Sequence, residues 1–196
     1  LDVGANDGLF GRHLRRIGYR GRIVSFEPVR EPFIRLASFA EADAMWEVHQ
    51  FGLGASDADA MINVSGNSHA SSLLELSQRS LEATPEVGFV REESIRICRL
   101  DGVFPEVRRG ANSVFLKIDT QGFERQVLDG SEASLRSIGM LQLEMSLVSL
   151  YAGEALFEEQ HARLRGLGYR LVALEPGLAD PRSAELMQFD AVYRRP

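Results

Sequence analysis

Apolar and polar positions alternate in blocks along the 196-residue chain. It opens Leu1-Asp2-Val3-Gly4-Ala5-Asn6-Asp7-Gly8, which reads as the end of a buried parallel strand passing into a glycine-bearing turn. Leu9 to Ile17 has helical spacing, with Leu9, Phe10, Leu14 and Ile17 on one side and Arg12, Arg15 and Arg16 on the other. A second apolar run, Ile23-Val24-Ser25-Phe26, ends in Glu27-Pro28. Strand, turn, helix, strand and terminal acid make up half of a nucleoside-binding βαβ unit.

The pattern continues in the same way. Phe33, Leu36, Ala37 and Ala40 predict a helix over 32–42, Trp46 to Gly52 a third strand, and Met61 to Val64 a short one after the polar turn Ser56-Asp57-Ala58-Asp59. Ser65 to Ser94 is polar and weakly periodic, and so long an irregular stretch reads as a mobile cover over an active site. Ile95 to Leu100 alternates like an edge strand. Val114-Phe115-Leu116-Lys117-Ile118 reads as a buried strand, and Asp119 to Glu124 as a turn into a helix through Val127 and Leu128. Ile138 to Met145 is the next strand, with Glu144 near its C-terminal end. A helix from 155 to 167 stops at Gly168, and strands over 169–174 and 189–194 close an antiparallel hairpin. Alternating strands and helices with one antiparallel edge imply an α/β domain, its mainly parallel sheet covered on both faces. With neither repeats nor low-complexity linkers, residues 1–196 read as a single domain.

Composition narrows the partners. The 44% hydrophobic and 26% charged content is that of a water-soluble globular chain. A formal charge of −6 with dispersed arginines argues against nucleic acid. Cys98 is the only cysteine, which excludes internal disulfides and predicts a cytoplasmic location. No apolar stretch approaches a membrane span. The first strand is already ending at Val3 and there is no initiator methionine, so the natural protein is expected to extend further at its N-terminus. Nothing in the sequence fixes an oligomeric state.

The turn after the first strand carries the chemistry. A pyrophosphate cradle needs Gly-x-Gly-x-x-Gly. Here the spacing is Asp2-x-Gly4-x-Asn6-x-Gly8, and Leu9 stands five after Gly4. Asn6 tolerates left-handed geometry and can stand in for the central glycine. A ligand with ribose and adenine but no phosphates fits better, S-adenosyl-L-methionine being the usual one. Glu27, at the end of the second strand, would accept hydrogen bonds from both ribose hydroxyls, and Asp2 or Asn6 would face the methionine end.

The strings Asp2 to Gly8, Phe26-Glu27-Pro28, Leu116 to Glu124, Leu143-Glu144 and Leu150-Tyr151 occur in that order. Together they resemble the FkbM family of S-adenosylmethionine-dependent methyltransferases over nearly the whole chain. The resemblance implies a class I (Rossmann-like) fold with a seven-stranded sheet. It also implies methyl transfer to a hydroxyl of a sugar, a glycan or a natural product. The family's usual central motif is Lys-Ile-Asp-Val-Glu-Gly; here Thr120 and Gln121 replace Val and Glu.

Methyl transfer to an alcohol needs an oriented acceptor and a base. Asp119, Lys117 and Glu144 are the catalytic candidates, Asp119 first as base or orienting group. Asp119 can equally be a helix N-terminal acid. Lys117 points to the same face and either steadies an acid or the developing alkoxide, or pairs with Glu144. His69, Ser72 and Glu124 are candidates to contact the acceptor, His69 only if the polar stretch folds down. A magnesium ion on Asp119, Glu124 and Glu144 is not expected without a fourth oxygen ligand. The competing readings are methylation of nitrogen or carboxylate, and a nucleoside-binding module without catalysis.

Overall fold

The computed structural model describes residues 1–66, 70–84 and 87–196. Among them the strands are β1 (Asp2–Val3), β2 (Ile23–Phe26), β3 (Trp46–His49), β4 (Gly52–Leu53), β5 (Ala58–Ser65), β6 (Phe89–Cys98), β7 (Phe115–Ile118), β8 (Met140–Ser146), β9 (Arg170–Pro176) and β10 (Gln188–Arg194). The helices are α1 (Leu9–Arg16), α2 (Arg30–Ala40), α3 (Gln78–Ala83), α4 (Leu100–Arg108), α5 (Glu124–Asp129) and α6 (Phe157–Gly166). The main sheet has seven strands in the order β3-β2-β1-β7-β8-β10-β9. β3, β2, β1, β7 and β8 are parallel, and β10 lies antiparallel between β8 and β9. The mainly parallel sheet and its C-terminal hairpin are as the pattern predicts.

Strand alternation puts helices on both faces. Ile23 joins Leu36 and Ala40 of α2, Leu14 of α1 and Trp46 in one core. Its neighbours Val24 and Phe26 belong to the larger core, with Leu100 and Phe104 of α4, Val127 and Leu128 of α5 and Leu164 of α6. The first helix is rotated from its expected pose, since Leu9 and Ile17 are 59% and 64% exposed. Gly11 explains the rotation. It faces Trp46 so closely that a Cβ there would come 2.2 Å from the indole, and the helix seats on its glycine side.

Three further differences concern the middle of the chain. The apolar run 46–52 is two strands, not one: β3 stops at His49, and β4 joins a second, three-stranded sheet in the order β4-β6-β5. The segment read as an edge strand from Ile95 is the end of β6, the central strand of that sheet, whose long antiparallel pairing with β5 starts well inside the polar stretch. Leu100 begins α4, a helix the reading missed. Gly102 and Pro105 interrupt its sequence, although Leu100, Val103, Phe104 and Val107 keep helical spacing and pack into or against the main core. Among the described residues no helix is long and apolar enough to cross a membrane.

Strand order reverses between β1 and β7. Loops leaving the carboxyl ends of β1, β2, β7 and β8 therefore meet at one crevice, where ligands of open α/β sheets bind.

Candidate active site

The turn after β1 is left-handed at Gly4, Asn6 and Gly8, with φ of 77°, 47° and 83°. Gly4 is required by packing as well as by dihedral, because a Cβ would fall 1.8 Å from the Asp119 carbonyl oxygen. Asn6 does take the conformation its residue type allows. The turn is pinned to β2, since the Gly4 and Ala5 amides both donate to Phe26 O. It then hands its next amide to an acid: Asn6 N donates to Glu27 Oε2 at 2.8 Å, and Val29 N to Glu27 Oε1 at 2.8 Å. Burial pushes Glu27 up to about 7, against the pull of those two amides.

A cavity of about 230 Å³ is lined by Glu27, at the end of β2, and by Asp119, Gln121 and Glu144, which belong to the turn after β7 and to β8, on the other side of β1 in the strand order. Leu53, Ile62 and Ile97 give the same cavity an apolar side. Each Glu27 oxygen holds one amide and keeps acceptor capacity. A carboxylate that accepts from hydroxyls beside an apolar slot fits a ribose and its base. Asp2 is placed elsewhere. It is buried behind Gly4 and lines an adjoining groove of about 710 Å³ with Lys117, Gln142 and Asp190. Ser25 Oγ donates to its Oδ2 at 3.2 Å, while its Oδ1 has no partner among the described residues. Gly4, Asn6 and Asp119 line both spaces.

On the far wall Lys117 Nζ donates to Asp119 Oδ2 at 2.8 Å. Desolvation would lower the ammonium's pKa, but Asp119 and Asp2 reverse this and hold its proton. Burial alone would raise Asp119; Lys117, Gln121 and Glu144 outweigh it and keep the carboxyl below its ordinary range. Glu144 goes the other way, pushed well above its ordinary value by burial and by the charges of Asp119 and Glu124. Lys117 thus pairs with Asp119, and the bond to Glu144 comes from Gln121 Nε2 at 2.6 Å.

The acceptor candidates separate. Glu124 Oε1 accepts from Thr120 N at 2.8 Å and Thr120 Oγ1 at 3.0 Å, so this acid faces its own turn, and it lines neither cavity. Ser72 Oγ donates to Gln121 O at 2.7 Å and braces the same turn from behind. Its neighbours Ser71 and Leu73 reach the cavity. His69 lies outside the described residues. The segment expected as a mobile cover is docked where described: Asn63 bridges Ser72, and Leu76 bridges Tyr151. No group of three or more His, Cys, Asp or Glu side chains poised for a metal ion occurs among the described residues. Tyr151 and Gln121 received no role from sequence. Both lie inside motif strings, and only their contact across 30 residues, 2.7 Å from Tyr151 hydroxyl to Gln121 Oε1, marks them out.

A reversed-order parallel sheet with an antiparallel hairpin, a glycine turn after β1 and an acid ending β2 defines a class I, Rossmann-like methyltransferase fold. The chain belongs to the FkbM methyltransferase family, since the Methyltransferase FkbM domain profile matches residues 2–171. Among solved structures it is similar to methyltransferase FkbM from Methylobacillus flagellatus KT, at 14% identity and a TM-score of 0.59, over 97% of this chain and 42% of that one. It also resembles Sp1610 of Streptococcus pneumoniae, assigned as a tRNA (m1A22) methyltransferase and solved with S-adenosyl-L-methionine. That match has 12% identity and a TM-score of 0.55, over 99% of this chain and 64% of that one. TehB from Haemophilus influenzae aligns at 7% identity with a TM-score of 0.51, over all of this chain and 56% of its own. The chain thus spans about two fifths to two thirds of these three proteins. No curated protein matches the sequence.

Proposed function

We propose that the chain binds S-adenosyl-L-methionine and transfers its methyl group to a hydroxyl oxygen of a sugar, glycan or hydroxylated natural product. The observation that carries this reading is one cavity walled by Glu27 on one side and by Asp119, Gln121 and Glu144 on the other. Glu27 takes the ribose hydroxyls, the Gly4-to-Gly8 turn lets backbone approach the ligand, and Asn6 lies towards its amino-acid end. When bound, the cofactor supplies a methyl on a positively charged sulfur, already a good leaving group.

The protein's share is to place an acceptor oxygen and to remove its proton. Asp119 is the base. Lys117 keeps it ionised at 2.8 Å, and its other oxygen, Oδ1, faces the Gln121 amide. Glu144 lies beside it as a carboxyl that burial and the neighbouring acids push well above its ordinary value. A charge of −6 and the acids at the cavity wall favour a neutral polyhydroxyl acceptor over a phosphate polymer. Single-turnover assays with methyl-labelled S-adenosylmethionine against sugars, oligosaccharides, hydroxylated macrolides and tRNA test the proposal. Label in an ether linkage of a hydroxyl acceptor supports it. Label only in tRNA, an amine or a carboxyl ester contradicts it.

A further inference from the structure

The geometry of the acid pair runs through Gln121. Its Nε2 lies 2.9 Å from Asp119 Oδ1 and 2.6 Å from Glu144 Oε2. An amide nitrogen carries two hydrogens, so one goes to each carboxyl and none is left over. An ionised Asp119 only accepts, which turns the nitrogen towards it and leaves Oε1 for the Tyr151 hydroxyl at 2.7 Å. Every polar atom of the side chain is engaged.

The backbone beneath is held just as firmly. Gln121 has φ of 55°, followed by Gly122 at 93°. A Cβ on Gly122 would sit 2.9 Å from Tyr151 Cβ, so the turn and the tyrosine close on each other. Ser72 Oγ holds the Gln121 carbonyl from the other side at 2.7 Å. A left-handed non-glycine residue costs conformational free energy and persists where its surroundings enforce it. Here that cost is matched by contacts whose common effect is to fix one amide group against two acids.

Charge explains why an amide stands there. Asp2 of β1, Glu124 of α5 and Asp190 of β10 are the further acids acting on the pair, Tyr151 packs beside it, and Lys117 of β7 is the cation among these groups. A glutamate at 121, as in the family's usual motif, would bring a third carboxylate within contact of two others. Glutamine fits the same space, adds no charge and donates to both.

We propose that Gln121, oriented by Tyr151, is the positioning residue of the acid pair: its one amide group bridges Asp119 Oδ1 and Glu144 Oε2 and fixes the two carboxyls against each other at the cavity. This rests on the methyl-transfer reading of the site. With Lys117 holding Asp119 low and burial among acids holding Glu144 up, the fixed pair presents one acceptor and one donor to the cavity, which suits adjacent hydroxyls on a sugar ring. The reacting hydroxyl gives its proton to Asp119, and the neighbouring oxygen accepts from Glu144.

The test is a carboxyl ¹³C NMR titration of the chain labelled in Asp and Glu, with D119N and E144Q to assign the two signals. It is run on the parent, Tyr151→Phe and Gln121→Glu, with calorimetric titration of S-adenosylhomocysteine into the parent alongside. In the parent the two carboxyls titrate far apart, Asp119 low and Glu144 high. In Tyr151→Phe the amide loses its orientation, Asp119 loses a donor, and its midpoint rises. In Gln121→Glu the proton affinity of Asp119 rises by about tenfold or more, one pH unit. Titrations in both variants that superimpose on the parent's overturn the inference, even if melting temperature falls, because a merely structural bridge would give that. If Tyr151→Phe does not fold, the isosteric Gln121→Glu carries the same readout. A parent that does not bind S-adenosylhomocysteine defeats the methyl-transfer reading instead, whatever the carboxyls do.

Discussion

The two walls of the cavity are built by different means. On the first, Glu27 is held by backbone: the amides of Asn6 and Val29, each at 2.8 Å. On the second, Asp119 and Glu144 are held by side chains drawn from β7, from the turn after it and from the segment after β8. A wall of amides is fixed once its turn is fixed, and it survives changes in side chains around it. A wall of side chains depends on each partner and can be retuned by one substitution. The constant ligand would meet the rigid wall, and the variable acceptor the adjustable one.

Changes at the point where the walls touch have the largest expected effect. Gly4→Ala sets a methyl against the Asp119 carbonyl at 1.8 Å and strains a φ of 77°. It should cost about 3–5 kcal/mol, measured by urea denaturation, and abolish S-adenosylhomocysteine binding. An alanine variant as stable as the parent would mean the walls are not in contact there.

The next effect separates buried acids from paired ones. Glu27 and Glu124 are both raised to about 7, by burial first. An acid with a raised folded pKa binds its proton more tightly when folded, so its contribution is full below the unfolded value and lost as pH rises towards 7. Stability should therefore fall between about pH 4.5 and 7, by at most about 3 kcal/mol for each group. Asp43, Glu47 and Asp101, held low, act only in more acidic solution. Urea midpoints that rise across this window would contradict the burial of both glutamates.

The smallest effect lies behind the second wall. Ser72→Ala removes the bond to Gln121 O and leaves the Leu74 amide without its acceptor. About 1–2 kcal/mol should be lost, with the acid titrations less changed than in Tyr151→Phe. A larger shift from Ser72→Ala than from the tyrosine variant would reverse their roles.

The same contrast decides what could be read from the residues. Gly4, Asn6, Gly8 and Glu27 act within one βαβ unit, and their spacing announces the turn and the acid. Lys117 and Asp119 share a face by strand alternation, which is visible as well, although the ion-pair partner the residues suggested for Lys117 was Glu144 and the one it takes is Asp119. Tyr151 meets Gln121 only because Leu76 bridges it and Gly122 admits it, and no local pattern encodes such a contact. Glu124 read as a site acid because it follows a strand end, whereas its carboxyl is taken up by the Thr120 amide and hydroxyl. α4 was hidden by Gly102 and Pro105, although its apolar spacing was present. The second sheet was hidden because β5 and β6 pair across an irregular stretch, and pairing at that distance leaves no trace in periodicity.

The most direct measurement is calorimetric titration of S-adenosylhomocysteine into the chain and into Glu27→Ala. Binding to the parent is expected, with a loss of roughly a hundredfold or more in the variant, the equivalent of about 3 kcal/mol from two charge-assisted hydrogen bonds. Equal affinity for both proteins, with both folded, would contradict the placing of the ribose on Glu27.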